Sequence, residues 1–197
     1  DDWPVFWEEA VGGNVRDADG NVYLDLTSAF GVSLLGHAPA PVLRALTEQS
    51  KLIHGMGDIH PPVKKLELLE ALADVSPWPD TKAVLAGSGS EAVEAALKTA
   101  RLASGRPGVL AFEGGYHGMC AEAQMSLAPA KQVNFPMAVP DSAGIPNAVK
   151  DDMLIAPFND IDFVRSLLAE LGNQVAAIIV EPLQRIIPAL DGYLAAL

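Results

Sequence analysis

The chain has 197 residues, 50% of them hydrophobic and 19% charged, a balance that supports one substantial core and excludes a disordered composition. Its formal charge is −12, with no Lys/Arg cluster longer than Lys64-Lys65. That excludes a nucleic-acid surface, which needs a basic footprint, and means that local donors must hold any phosphate ligand.

The first ten residues, "DDWPVFWEEA", lack the basic and apolar regions of an export signal. No apolar run reaches membrane-spanning length; the longest, "VAAIIV" at 175–180, is strand-sized. Cys120 is the sole cysteine, so an intrachain disulfide is impossible and a cytoplasmic setting is expected. "VRDADGNVYLDL" (15–26) predicts a hairpin turning at Asp19-Gly20-Asn21. "PAPVLRALTEQSKLI" predicts a helix, with Val42, Leu43, Leu46 and Ile53 at helical spacing. Pro61 and Pro62 open another, carrying Leu66, Leu69 and Leu72 on one face.

From residue 82 strands and helices alternate. "KAVLA" (82–86), "VLAFE" (109–113), "MLIAPF" (153–158) and "VAAIIV" read as strands. Residues 90–103 read as a helix, and so does the segment opened by Asn159 and Asp162, with Ile161, Val164, Leu167, Leu168 and Leu171 as its apolar stripe and Gly172 as its end. Apolar strands without alternation, separated by helices, predict an α/β domain whose mostly parallel sheet is covered on both faces. The chain stops soon after the fourth strand, so a truncated C-terminus is expected.

"LAGSGSEAVEAALKTAR" (85–101) sets two glycines and two serines at a strand-to-helix junction. Three readings compete. Ser88 three residues before Glu91 fits a capping box. Gly87 to Ala92 fits G-x-G-x-x-A, with Glu113 as a ribose-binding acid, although Glu113 falls later than the usual spacing. The third reading is a cup for another cofactor's phosphate, where glycines let backbone amides approach an anion at the positive end of the helix dipole.

Two downstream segments bear on the choice. "FEGGYHGMC" (112–120) sets an aromatic and a histidine on a glycine-flanked turn, and "IIVEPLQ" (178–184) ends the fourth strand with Glu181 and Gln184. With "DADGNVYLDLTSAFGVSLLGH", "GSGSEAVEAALKTAR", "GGYHGMC" and "VEPLQ" in this order, the chain resembles class III (omega) aminotransferases, pyridoxal-phosphate enzymes of fold type I. The resemblance implies an N-terminal hairpin-and-helix segment over 1–50 and an incomplete cofactor-binding large domain over 51–197. It implies a homodimer with sites at the subunit interface, "GVSLLGH" contributing, and an amino donor and a keto-acid acceptor as substrates.

The roles it implies are specific. Ser88, Gly89 and Ser90 cradle the phosphate of pyridoxal 5'-phosphate, with the Ser90 hydroxyl as an extra donor. Tyr116 stacks on the pyridine ring and His117 orients its loop or acts on a proton. Glu181 and Gln184 lie near substrate and ring, Gln184 toward the ring's 3-oxygen. The bland readings stand beside these: Tyr116 as a core aromatic, His117 as a satisfied histidine, Glu181 as a capping acid before Pro182. His54, Asp58 and His60 are metal-capable types but lack a further clustered ligand.

The departures are chemical. The family's Schiff-base lysine and its pyridine-pairing aspartate in a "DEV" motif are both missing. Lys51, Lys64, Lys65, Lys82, Lys98, Lys131 and Lys150 sit in segments that align elsewhere, so no catalytic residue is expected in this chain, which is inactive alone. Met119 stands where carboxylate-binding members often carry Arg, which disfavours a strict 4-aminobutyrate or acetylornithine enzyme. "PDSAGIP" (140–146) and "APFND" (156–160) resemble the glutamate-1-semialdehyde aminomutase branch. A nicotinamide dehydrogenase domain and a non-catalytic protein of this fold remain as alternatives.

Overall fold

A computed structural model describes residues 4–52, 59–130 and 134–197. Its two compact units are Asp1–Ala83 and Val84–Leu197. The first unit opens with a three-stranded antiparallel sheet, β1 (Trp7–Val11), β2 (Asn14–Asp17) and β3 (Val22–Leu24), in that order. The expected hairpin is β2–β3, and Gly20 turns it at φ +86°, a conformation open to glycine at no steric cost. The buried Asp17 carboxylate organises the turn, accepting from the amides of Asp19 and Asn21, from Asn21 Nδ2 and from the Tyr23 hydroxyl. β1 had no sequence signal; it pairs with β2 and sets Trp7 edge-on to Tyr23 at 5.3 Å.

The short α1 (Ser28–Gly31) is left-handed at Ser28, Ala29 and Phe30, with φ of 48°, 51° and 58°. Asp25 holds its start, accepting from the amides of Thr27 and Ser28, the Thr27 hydroxyl and His37 Nε2 at 2.7 Å. The His37 hydrogen bond, followed by that from the Ser28 amide, holds the Asp25 carboxyl well below the usual carboxylate range. α2 (Ala40–Gln49) and α3 (Val63–Val75) form where proline and helical spacing predict them. Their apolar Val42, Leu43, Leu46, Leu66 and Leu72 stay exposed; Ile53 lies outside the described residues.

The second unit is the α/β domain. α4 (Gly89–Ser104) leads to β4 (Gly108–Phe112), α5 (Asn147–Asp151), β5 (Met153–Ala156), α6 (Ile161–Leu171) and β6 (Val175–Ile178). The parallel sheet has the order β5-β4-β6. Every residue of β4 is buried, as a central strand covered on both faces requires. Val109 and Ala111 pack on one face with Leu97 of α4, Met125 and Ile155; Leu110 and Phe112 pack on the other with Val164 and Leu167 of α6. A two-strand hairpin, β7 (Leu183–Gln184) with β8 (Ile187–Pro188), and α7 (Tyr193–Ala196) complete the unit.

Two expectations need correction. Residues 82–86 form no strand, and Val84 and Leu85 are exposed. A strand needs a neighbour to take its backbone groups, and among the described residues none lies beside this segment. The cap of α6 is Asp160, whose side chain accepts from the Phe163 amide at 2.9 Å. Asn159 is instead left-handed and spends its amide on the Pro188 carbonyl and the Leu190 N–H.

Candidate functional site

Three segments of the second unit converge at the carboxyl end of the sheet: the start of α4, the turn after β4, and the turn after β6. At the first, both halves of the capping box form. Ser88 Oγ accepts from the Glu91 amide at 3.2 Å and the Glu91 carboxylate accepts from the Gly87 amide at 2.6 Å. The capping reading and the anion-cup reading therefore describe the same residues. Capping satisfies the amides of Gly87 and Glu91 but leaves those of Gly89 and Ser90, in the first turn, without an acceptor among the described residues. Two free amides at the positive end of a sixteen-residue helix can bind an anion.

Ser90 also ties this cup to the second segment. Its Oγ accepts from the Met119 amide at 2.9 Å, which leaves its own proton to donate outward. The approach is close because residue 118 is glycine. A Cβ there would lie 2.7 Å from Ser90 Oγ and 3.0 Å from Ser90 Cα, and φ is +112°. On the far side, Arg101 Nη1 pairs with Glu122 at 2.7 Å and bolts α4 to the chain beyond the turn.

The third segment fixes the turn from below. Glu181 accepts from the Tyr116 amide (3.1 Å) and the Arg185 amide (3.2 Å), one on each carboxylate oxygen. Gln184 is buried and donates Nε2 to the Glu113 carbonyl at 2.8 Å; it does not extend into solvent. Arg185 Nε donates to the Gly114 carbonyl at 2.9 Å. With its backbone so held, Tyr116 keeps its side chain outside the core, about half exposed, and Met119 is more exposed still. His117 sits half-buried, and burial pushes its pKa below the ordinary imidazole value against the opposing pull of Glu181.

Ser88, Gly89 and Ser90 thus meet the Tyr116–His117 turn through Ser90, and Glu181 and Gln184 meet the same turn through its backbone. Two participants escaped the sequence reading. Arg185 has a left-handed backbone (φ +56°) and clamps Gly114. Ser126, fully buried, accepts the Gly114 amide on its carbonyl and the Val139 amide on its hydroxyl. Arg185 follows "VEPLQ" directly, so its place beside a motif was the available signal; Ser126 had none. His54 and Asp58 lie outside the described residues. No described helix is long and apolar enough to cross a membrane.

A family model described as aminotransferase class-III matches residues 1–197. Among solved structures, an omega-transaminase from Sphaerobacter thermophilus is 30% identical, with a TM-score of 0.88 over 98% of this chain and 45% of that one. A transaminase with PLP bound is 25% identical, with a TM-score of 0.87 over 100% of this chain and 45% of that one. A glutamate-1-semialdehyde aminomutase from Pseudomonas aeruginosa PAO1 is 28% identical, with a TM-score of 0.77 over 98% of this chain and 41% of that one. The chain spans less than half the length of each.

Proposed function

We propose, from the premise that the chain belongs to the class-III aminotransferase family, that it carries the phosphate-and-ring half of a pyridoxal-phosphate transamination site. The carrying observation is the pair of acceptor-free amides, Gly89 and Ser90, at the start of α4, next to a Ser90 hydroxyl whose proton is free to donate. The residues fit the cofactor in charge and shape: amides and a hydroxyl for a phosphate, and the exposed Tyr116 ring for a pyridine face. When bound, pyridoxal phosphate supplies the electron sink that lets an amino group pass from donor to acceptor. This chain's residues orient it. Ser90 and Gly89 hold the phosphate, Tyr116 covers the ring, and Glu181, Gln184 and Arg185 hold the Tyr116 turn in place.

The substrates on this reading are an amino donor and a keto-acid acceptor. Met119 offers no charge to a carboxylate, so substrate selection rests on other groups. A Schiff-base lysine and a pyridine-pairing aspartate would come from sequence outside these 197 residues. The intact mass of the protein from its own source tests that point, since a mass matching 197 residues refutes it. The exposed apolar run Leu26, Phe30, Val32, Leu34 and Leu35 supports a homodimer. An aminomutase acting within one molecule is the second reading, favoured by the 28% identity to such an enzyme.

Calorimetric titration with pyridoxamine phosphate tests the site without adventitious aldehyde chemistry on surface lysines. The wild-type chain should bind saturably. Ser90→Ala should weaken binding on the order of tenfold to a hundredfold, the worth of a hydrogen bond to a charged group. Tyr116→Ala should weaken it about fivefold, the worth of an aromatic stack. No binding by the wild type, or equal binding by Ser90→Ala, overturns the proposal.

A further inference from the structure

Two buried polar atoms on the floor of the Tyr116 turn have no hydrogen-bond partner among the described residues: His117 Nε2 and Gln184 Oε1. They lie on the same side of Gly115, at 3.1 Å and 3.6 Å from the point a Cβ on that residue would occupy. Their chemistry is complementary. Gln184 Nε2 donates to the Glu113 carbonyl, which can only accept, so the amide orientation is settled and Oε1 can only accept. An imidazole protonated on Nε2 is the donor it lacks. Both atoms are sealed from solvent, so each alone carries the full desolvation cost of an unmade bond.

We propose that His117 is a positioning residue that acts through Gln184: its Nε2–H pairs with Gln184 Oε1 and pins the turn bearing Tyr116 onto the β7–β8 hairpin. The bare backbone at 115 makes this possible, because a side chain there would stand between the two groups. It also assigns the tautomer, with Nε2 protonated and Nδ1 free. The lowered pKa of His117, caused by burial, agrees with a neutral donor at pH 7. Glu181 is the charged group acting on the imidazole; it pulls the other way, toward the protonated form, and burial outweighs it.

The consequence for the site rests on the reading of Tyr116 as the ring-covering residue; the pairing itself does not. The test therefore has two readouts on the protein as its own source makes it. The first is the ¹⁵N spectrum of the His117 imidazole without cofactor, at pH 7. The expected result is a protonated Nε2 with a slowly exchanging Hε2, lost in Gln184→Leu. An Nδ1–H tautomer, or an Hε2 unaffected by Gln184→Leu, overturns the inference whatever the cofactor does. The second is pyridoxamine-phosphate affinity. His117→Leu should lose about fivefold to tenfold, and His117→Gln, whose amide can donate from the same place, should recover most of it. In the double variant His117→Leu/Gln184→Leu the two losses should be far from additive. Equal losses in His117→Leu and His117→Gln, or additive ones in the double variant, also overturn it. If the wild type binds no pyridoxamine phosphate, the proposed function falls and the spectrum alone decides the pairing.

Discussion

Gly118→Ala isolates the closest approach in the site. Residue 118 has φ +112°, where a side chain other than glycine's is strained at about 1–3 kcal/mol. The new Cβ would also lie 2.7 Å from Ser90 Oγ and 3.0 Å from Ser90 Cα. The hydroxyl can swing aside, but it then gives up the Met119 amide, at roughly 0.5–1.5 kcal/mol. The Cα belongs to the first turn of α4 and moves only with the helix. The strain and the lost bond together come to about 1.5–4.5 kcal/mol, before any cost of shifting the helix. Urea unfolding of the chain followed by circular dichroism measures it, with Gly89→Ala as the control. A Cβ at 89 meets nothing within 4 Å, so that variant should stay within about 0.5 kcal/mol of wild type. Pyridoxamine-phosphate affinity should fall with Gly118→Ala as Ser90 is displaced. A loss below about 1 kcal/mol for Gly118→Ala, or an equal loss for Gly89→Ala, would refute the packing argument.

Two further outcomes follow from the same contacts. Ser88→Ala removes the acceptor of the Glu91 amide and should cost about 1 kcal/mol by urea unfolding; an unchanged midpoint would mean that the Gly87–Glu91 half of the capping box suffices. Acid should weaken the fold through His117. Its folded-state pKa is lowered from 6.5, so the unfolded chain takes up the proton first as pH falls. The associated stability is present above about 6.5 and is lost as pH drops through the folded value. Comparing the pH profiles of wild type and His117→Gln checks this: the variant should lose that part of the slope, and identical profiles would contradict it.

Much of the site was legible in the sequence because its physics is local. A capping box needs only Ser88 and Glu91 three residues apart, and the same spacing leaves the amides of Gly89 and Ser90 free. The β4 run "GVLAF" is apolar at every position after its glycine, so burial on both faces could be read without coordinates. By contrast, residues 82–86 are as apolar as a strand, yet strand identity depends on a neighbour that sequence does not name. Asp160 took the cap that Asn159 and Asp162 suggested, because Asn159 is held by the hairpin near Pro188 and Leu190, far along the chain.

The sequence by itself determined the alternation of helix and strand, the apolar core of the second unit and the kinds of residue at the start of α4. These follow from side-chain period and from capping chemistry within one turn. Only the tertiary structure decided that Gly118 rests against Ser90, that Glu181 and Arg185 hold the Tyr116 turn, and that His117 and Gln184 both lie against Gly115. Each of those pairs joins residues between 28 and 71 positions apart through a shared point in space. The local pattern of a sequence specifies no such point until the strands have been laid side by side.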